Sequence, residues 1–182
     1  MTRLRLATAD TFRSLRHRNF RIYFAAQAVS FTGTWLQLVA QTLLVLRLTD
    51  SGAALGLLTG IQFAPTLILG AWAGVVIDRH DKRRLMTVTT SVMLAAALLL
   101  GVLVLADAVT LAWVYGLAGV LGLANTFDNP ARRSLVNDLV PAEEVANAVG
   151  LNSTLVTSAR ILGPAFAGLL VSTVGIGWCF VV

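Results

Sequence analysis

The chain has 182 residues, 57% apolar and only 13% charged, with a formal net charge of +5 and a mean hydropathy of +0.78. Soluble domains average roughly 25% charged residues, and a soluble helical bundle needs a polar face on each helix. Most apolar runs here have none, so the chain reads as an all-α integral membrane protein. The single cysteine, Cys179, excludes an internal disulfide and a cysteine-based metal site. His17 and His80 stand in basic hydrophilic stretches, so no metal and no cofactor is expected. A pI near 10.7 would suit nucleic acid. The basic residues flank apolar runs, however, where they set topology first, and no nucleic-acid partner is expected.

Residues 1–19 form a basic tail carrying Arg3, Arg5, Arg13, Arg16 and Arg18, with no apolar core of the kind a cleavable signal peptide needs. The transmembrane helical domain is expected over 20–182, with helices near 20–46, 53–77, 85–106, 111–127 and 145–172. A sixth run occupies 175–182. Eight residues span only about 12 Å as a helix, against a hydrocarbon core of about 30 Å. The sixth helix is therefore expected to be truncated, with the chain a fragment of a longer protein.

Orientation follows from the basic residues. The tail to Arg21, the stretch Arg79–Arg84, and Arg132 with Arg133 all fall at one end of the helices, and the opposite turns offer only Arg47. The positive-inside rule places that basic end in the cytoplasm, N-terminus included, in a multi-pass protein of the cell membrane. Within residues 128–144, Leu135, Val136, Leu139 and Val140 recur opposite Arg132, Arg133 and Asn137. That pattern predicts a separate short helix on the inner membrane face. Pro141, Glu143 and Glu144 then mark a helix start.

Helix 1 carries a polar stripe: Gln27, Ser30, Thr34, Gln37 and Gln41, at steps of three and four residues. A polar face at membrane depth turns towards protein or water. It reads either as the wall of a substrate pathway, with Asn125 of helix 4, or as interhelical hydrogen bonding. Helix 2 carries Gly56, Gly60, Gly70 and Gly74 in small-xxx-small pairs, which are expected to allow close helix approach, and Pro65 is expected to kink it. Arg160 lies deep in helix 5 and shares a face with Ser153, Thr157 and Pro164. An arginine at mid-membrane costs at least about 2.5 kcal/mol, so a partner or a water-filled cavity is expected for it. No acidic residue is expected deep in helices 1–5. An ion-binding or gating role and a structural ion pair both remain open for Arg160.

The stretch between helices 2 and 3 holds Gly74, Asp78, Arg79, Asp81, Arg83 and Arg84. It resembles the signature loop of major facilitator superfamily transporters, a pattern close to G-x-L-a-D-R-x-G-R-K. Asp81 stands where the commoner form has glycine. Helix 5 resembles the antiporter motif that leads to Gly-Pro, through Gly150, Ala159, Gly163, Pro164, Ala167 and Gly168. With Asn129-Pro130-Ala131 and Leu139-Val140-Pro141, the chain is similar to the macrolide-efflux and enterobactin-exporter-like branch. The arginine usual near the start of helix 4 is absent, since 110–115 contain none.

The resemblance implies the N-terminal six helices of a twelve-helix transporter that works by alternating access. In that fold helices 1 and 4 line the cavity, and the loop aspartate and basic residues join or release the two halves. The implied function is secondary active export of a small, drug- or siderophore-like molecule, with a coupling proton and with the lipid bilayer and a C-terminal half as partners. A half-size transporter pairing with a second copy is an alternative, as is a non-transporting sensor or assembly partner. No nucleophile elbow, zinc helix or P-loop is present, so an enzyme is not expected.

Overall fold

The computed structural model describes residues 12–181. Arg3 and Arg5 of the basic tail, and Val182, lie outside them. A 3-10 turn over Arg13–Arg16 leads into α1 (Arg18–Thr49), followed by α2 (Gly52–Arg79), α3 (Lys82–Leu105), α4 (Leu111–Asp138) and α5 (Val145–Val174). A sixth helix, α6, is described over Trp178–Val181. α1, α2, α3 and the stretch Ala142–Val174 are each long and apolar enough to cross a membrane. α4 matches them in length, but its last third carries Asp128, Arg132, Arg133 and Asp138.

The connections are short, which makes neighbouring helices antiparallel. Two of them turn through left-handed aspartates, Asp50 (φ 47) and Asp107 (φ 51). Their short polar side chains tolerate that conformation better than most. The Asp50 N–H closes the end of α1 on the Leu46 carbonyl at 2.8 Å.

α4 is flanked by α2 and α3, while α1 pairs with α5. In lipid, apolar burial drives helix association weakly, so close backbone approach matters more. Among the described residues, Gly122 and Gly163 provide it most closely. A Cβ on Gly122 of α4 would lie 2.3 Å from the Gln62 carbonyl oxygen of α2, and one on Gly163 of α5 would lie 2.4 Å from Trp35 Cβ of α1. The helix 2 glycines expected to do this do not. Gly56, Gly60, Gly70 and Gly74 have nothing within 4 Å of a built Cβ, because α2 turns that face away from the other described helices. Large apolar side chains share the outward surface, including Leu67 at 86% and Trp72 at 71% exposure, as lipid contact favours.

The break expected after residue 127 is also absent. α4 runs unbroken through Pro130 to Asp138, so residues 128–138 are not a separate surface helix. Proline removes a single backbone donor, and the packing around the helix outweighs that loss. Leu135 and Val136 are buried, Val136 against Phe20, Val140, Ala148 and Leu151. That cluster joins the starts of α1 and α5 to the end of α4. Outside it, the N-terminal turn is lashed to the start of α5. Ser14 donates to Asn147 Oδ1 through Oγ at 2.8 Å, and Arg13 and His17 approach Glu144 at 3.3 and 3.2 Å.

Candidate functional site

α1, α2, α4 and α5 enclose a cleft of about 370 Å³. α1 contributes Thr34, Gln37 and Gln41, as its polar stripe predicts, and α4 contributes Asn125. α2 adds Gln62 and Thr66, and Phe31, Trp35 and Phe63 bring aromatic surface. Among the described residues, no lining side chain is charged. Gln62 Nε2 donates to Gln41 Oε1 at 2.8 Å, and the Thr66 and Thr126 hydroxyls meet at 2.9 Å. The Gln41 carbonyl is thereby used. Its amide nitrogen and that of Gln37 are buried with no hydrogen-bond partner among the described residues.

The rest of the stripe goes elsewhere. Ser30 lines a separate groove of about 530 Å³ between α1, α3 and the end of α4. Gln27, 1% exposed, belongs to a buried polar network towards the α2–α3 loop. Arg132 is its centre. Its Nε donates to the Asp128 carboxylate one turn back, Nη1 donates to Gln27 Oε1, and Nη2 donates to Thr90 Oγ1 at 3.1 Å. Asp128 Oδ1 accepts from Thr89 Oγ1 at 2.7 Å. Gln27 Nε2 donates to Tyr23 Oη at 2.6 Å, and Tyr23 donates to the Arg132 carbonyl at 3.2 Å.

Asp128 is 2% exposed and Arg132 8%. An acidic residue therefore does lie inside the bundle, contrary to expectation. Four-residue spacing on a helix brings Asp128 and Arg132 together. The sequence held that signal, but ending helix 4 near residue 127 placed both residues outside the bundle and hid it. The network bonds α1, α3 and α4 to one another, and every charge in it is compensated, as burial requires.

The α2–α3 loop divides into two parts. Asp78 and Arg79 close α2, both exposed, with no ion pair or hydrogen bond to another described residue through their side chains. Asp81, at the position where the resembling pattern has glycine, caps α3 and accepts from the Arg84 N–H at 2.9 Å. Lys82 Nζ reaches Asp138 Oδ2 at 2.7 Å, fixing the loop to the end of α4. Arg83 borders the groove that Ser30 lines, and Arg84 is exposed.

The Arg84 N–H, first among several causes, holds the Asp81 carboxyl below its ordinary value of 3.8. A lowered folded-state value means the cap contributes fully at neutral pH and is lost as pH falls through that lowered value. Asp81→Gly should speed amide exchange at Arg84 and its neighbours at neutral pH. Unchanged exchange would show that the cap contributes nothing.

In α5, Gly163, Ala159 and Ala167 are buried, whereas Gly150, Pro164 and Gly168 are exposed with open space beside both glycines. The motif's small residues therefore serve the α1 contact on one side only. Arg160 is exposed and makes no ion pair or hydrogen bond to any described residue, so the partner expected for it is not among them. Ser153, Thr157 and Pro164 are exposed on the same side.

Residues 9–182 match the family described as transmembrane secretion effector. Among curated proteins the chain is similar to the staphyloferrin A transporter of Staphylococcus aureus, at 26% identity over 84% of this chain and 38% of that protein. It is equally similar to macrolide efflux protein A of Streptococcus pyogenes, at 26% identity over 86% of this chain and 40% of that one. The chain thus spans about two-fifths of the length of these relatives. The fold matches the inward-facing, occupied crystal structure of a bacterial homologue of the human lysosomal transporter Spinster. The TM-score is 0.64 and the identity 23%, over 93% of this chain and 37% of that one. The loop motif, the helical bundle and the family match agree, and the chain belongs to the transmembrane secretion effector family of the major facilitator superfamily.

Proposed function

We propose that the protein containing this chain is a secondary active exporter that moves a small molecule by alternating access. The observation that carries this reading is the uncharged cleft among α1, α2, α4 and α5, bordered by amides, hydroxyls and aromatic rings. It suits passage of a guest rather than chemistry upon it. The name of one relative, a macrolide efflux protein, favours export, and another is named as a transporter of staphyloferrin A. Basic residues at the α2–α3 loop end favour a cytoplasmic N-terminus. A second set of helices, from the same polypeptide or another copy, would complete the pathway and cover Arg160.

A proton gradient is the proposed energy source, and the buried Asp128–Arg132 pair the contact through which it would act. Breaking that pair would leave Arg132 without a counter-charge and loosen the tie between α1, α3 and α4. The other ionisable group in that network is Tyr23.

The test is efflux from proteoliposomes holding the full-length protein, with and without an imposed pH gradient. Gradient-driven movement supports the reading, and none for any compound in a broad drug and siderophore panel overturns it. In the same assay, Asp128→Asn combined with Arg132→Gln should abolish the response to pH while leaving downhill flux. Asp78→Asn should slow turnover without altering orientation. Arg160→Ala should reduce transport at unchanged membrane insertion, and full activity would remove Arg160 from the mechanism.

A further inference from the structure

We infer that the cleft selects uncharged amphipathic molecules rich in hydrogen-bond acceptors, with Gln37 and Gln41 as specificity-determining residues. The inference rests on the transporter reading above and narrows its substrate class. Its first support is that no side chain this chain's described residues contribute to the wall is charged. An anion entering there would lose its water without meeting a cation. Arg132 is committed to Asp128, Gln27 and Thr90, and Arg160 does not border the cleft. A cation fares no better, because Asp128 is already neutralised by Arg132 and held by Thr89. Transfer of an ion from water to such a site is far costlier than transfer of a neutral polar group.

The second support is independent of the first. The Nε2 groups of Gln37 and Gln41 are buried donors without acceptors among the described residues. In this arrangement the Gln41 carbonyl is engaged by Gln62 at 2.8 Å, and the amide nitrogen is the end left free. A buried donor without a partner carries a desolvation penalty that a guest's carbonyl, ester or ether oxygen relieves and a hydrocarbon does not. Phe31, Trp35 and Phe63 supply the apolar counterpart for the remainder of such a guest.

The test uses the full-length protein in nanodiscs of uncharged lipid and three probes on one fluorophore: 7-methoxycoumarin-4-acetamide, the parent acetic acid, and its 2-(trimethylammonio)ethyl amide. Kd is read by equilibrium dialysis. The neutral amide should bind at least about tenfold more tightly than either charged probe. Equal or tighter binding of the acid or the cation, or binding of none of the three, overturns the inference. Gln37→Leu with Gln41→Leu should weaken amide binding about tenfold in protein that remains monodisperse.

Gln37→Glu, which keeps the side-chain shape, should move the preference to the trimethylammonium probe. No shift in that variant removes Gln37 from recognition even if the double variant fails to fold. Movement across the membrane is measured separately in proteoliposomes. An amide that is bound selectively but never moved overturns the transporter reading and leaves the selectivity standing.

Discussion

Replacing Arg132 by leucine should lower the stability of the bundle by about 3–5 kcal/mol, the usual cost of leaving one member of a buried ion pair alone. Arg132 holds Asp128, Gln27 and Thr90 together from the last third of α4, and all of these but Thr90 are buried. Without it, the Asp128 carboxylate keeps, among the described residues, only the Thr89 hydroxyl, in a bundle surrounded by lipid. The measurement is the unfolding midpoint of the full-length protein in nanodiscs. Asp128→Asn combined with Arg132→Gln should recover much of the loss, because neutral amides can still bridge the same oxygens and hydroxyls. A single Arg132→Leu variant as stable as the parent would mean that the network is solvated and contributes little. The paired variant also separates structure from energy coupling: a fold restored without the charges, yet deaf to a pH gradient, assigns coupling to the carboxylate.

What could be read in the sequence follows from which forces act along one helix and which act between helices. The long apolar helices were legible because lipid imposes a length and an apolar composition on each run separately. The α1 contribution to the cleft was legible for a similar reason: Thr34, Gln37 and Gln41 share one helical face, and such a face must turn inward. Gln62 and Thr66 were missed because α2 carries no comparable stripe, and its polar residues gain meaning only beside Gln41 and Thr126. Arg160 shows the reverse. Its depth in the sequence demanded a partner, yet among the described residues it stands at the surface alone. The loop aspartate was partly legible. Asp81 departs from the glycine of the resembling pattern, and its role as the cap of α3 appears only once the helix boundary is known.

Glycines give the sharpest contrast between pattern and contact, and the second large effect is expected there. Gly122→Ala would place a methyl group 2.3 Å from the Gln62 carbonyl oxygen, and Gly163→Ala would place one 2.4 Å from Trp35 Cβ. Neither neighbour is the free end of a flexible side chain, so α2 and α4, or α1 and α5, must move apart. Overpacking of this kind costs about 1–3 kcal/mol. Gly56→Ala and Gly60→Ala should do the opposite, since their Cβ atoms meet open space and alanine favours helix by about 0.5–1 kcal/mol. Unfolding midpoints of the four variants in the full-length protein test both signs, provided no helix outside this chain packs on the α2 face. Destabilisation by Gly56→Ala or Gly60→Ala would reveal such a helix. For Gly122→Ala the effect should extend to the cleft, because moving α2 from α4 also carries Gln62 away from Gln41. Guest binding should weaken along with stability, whereas a change in stability alone would place the Gln41–Gln62 pair outside the recognition surface.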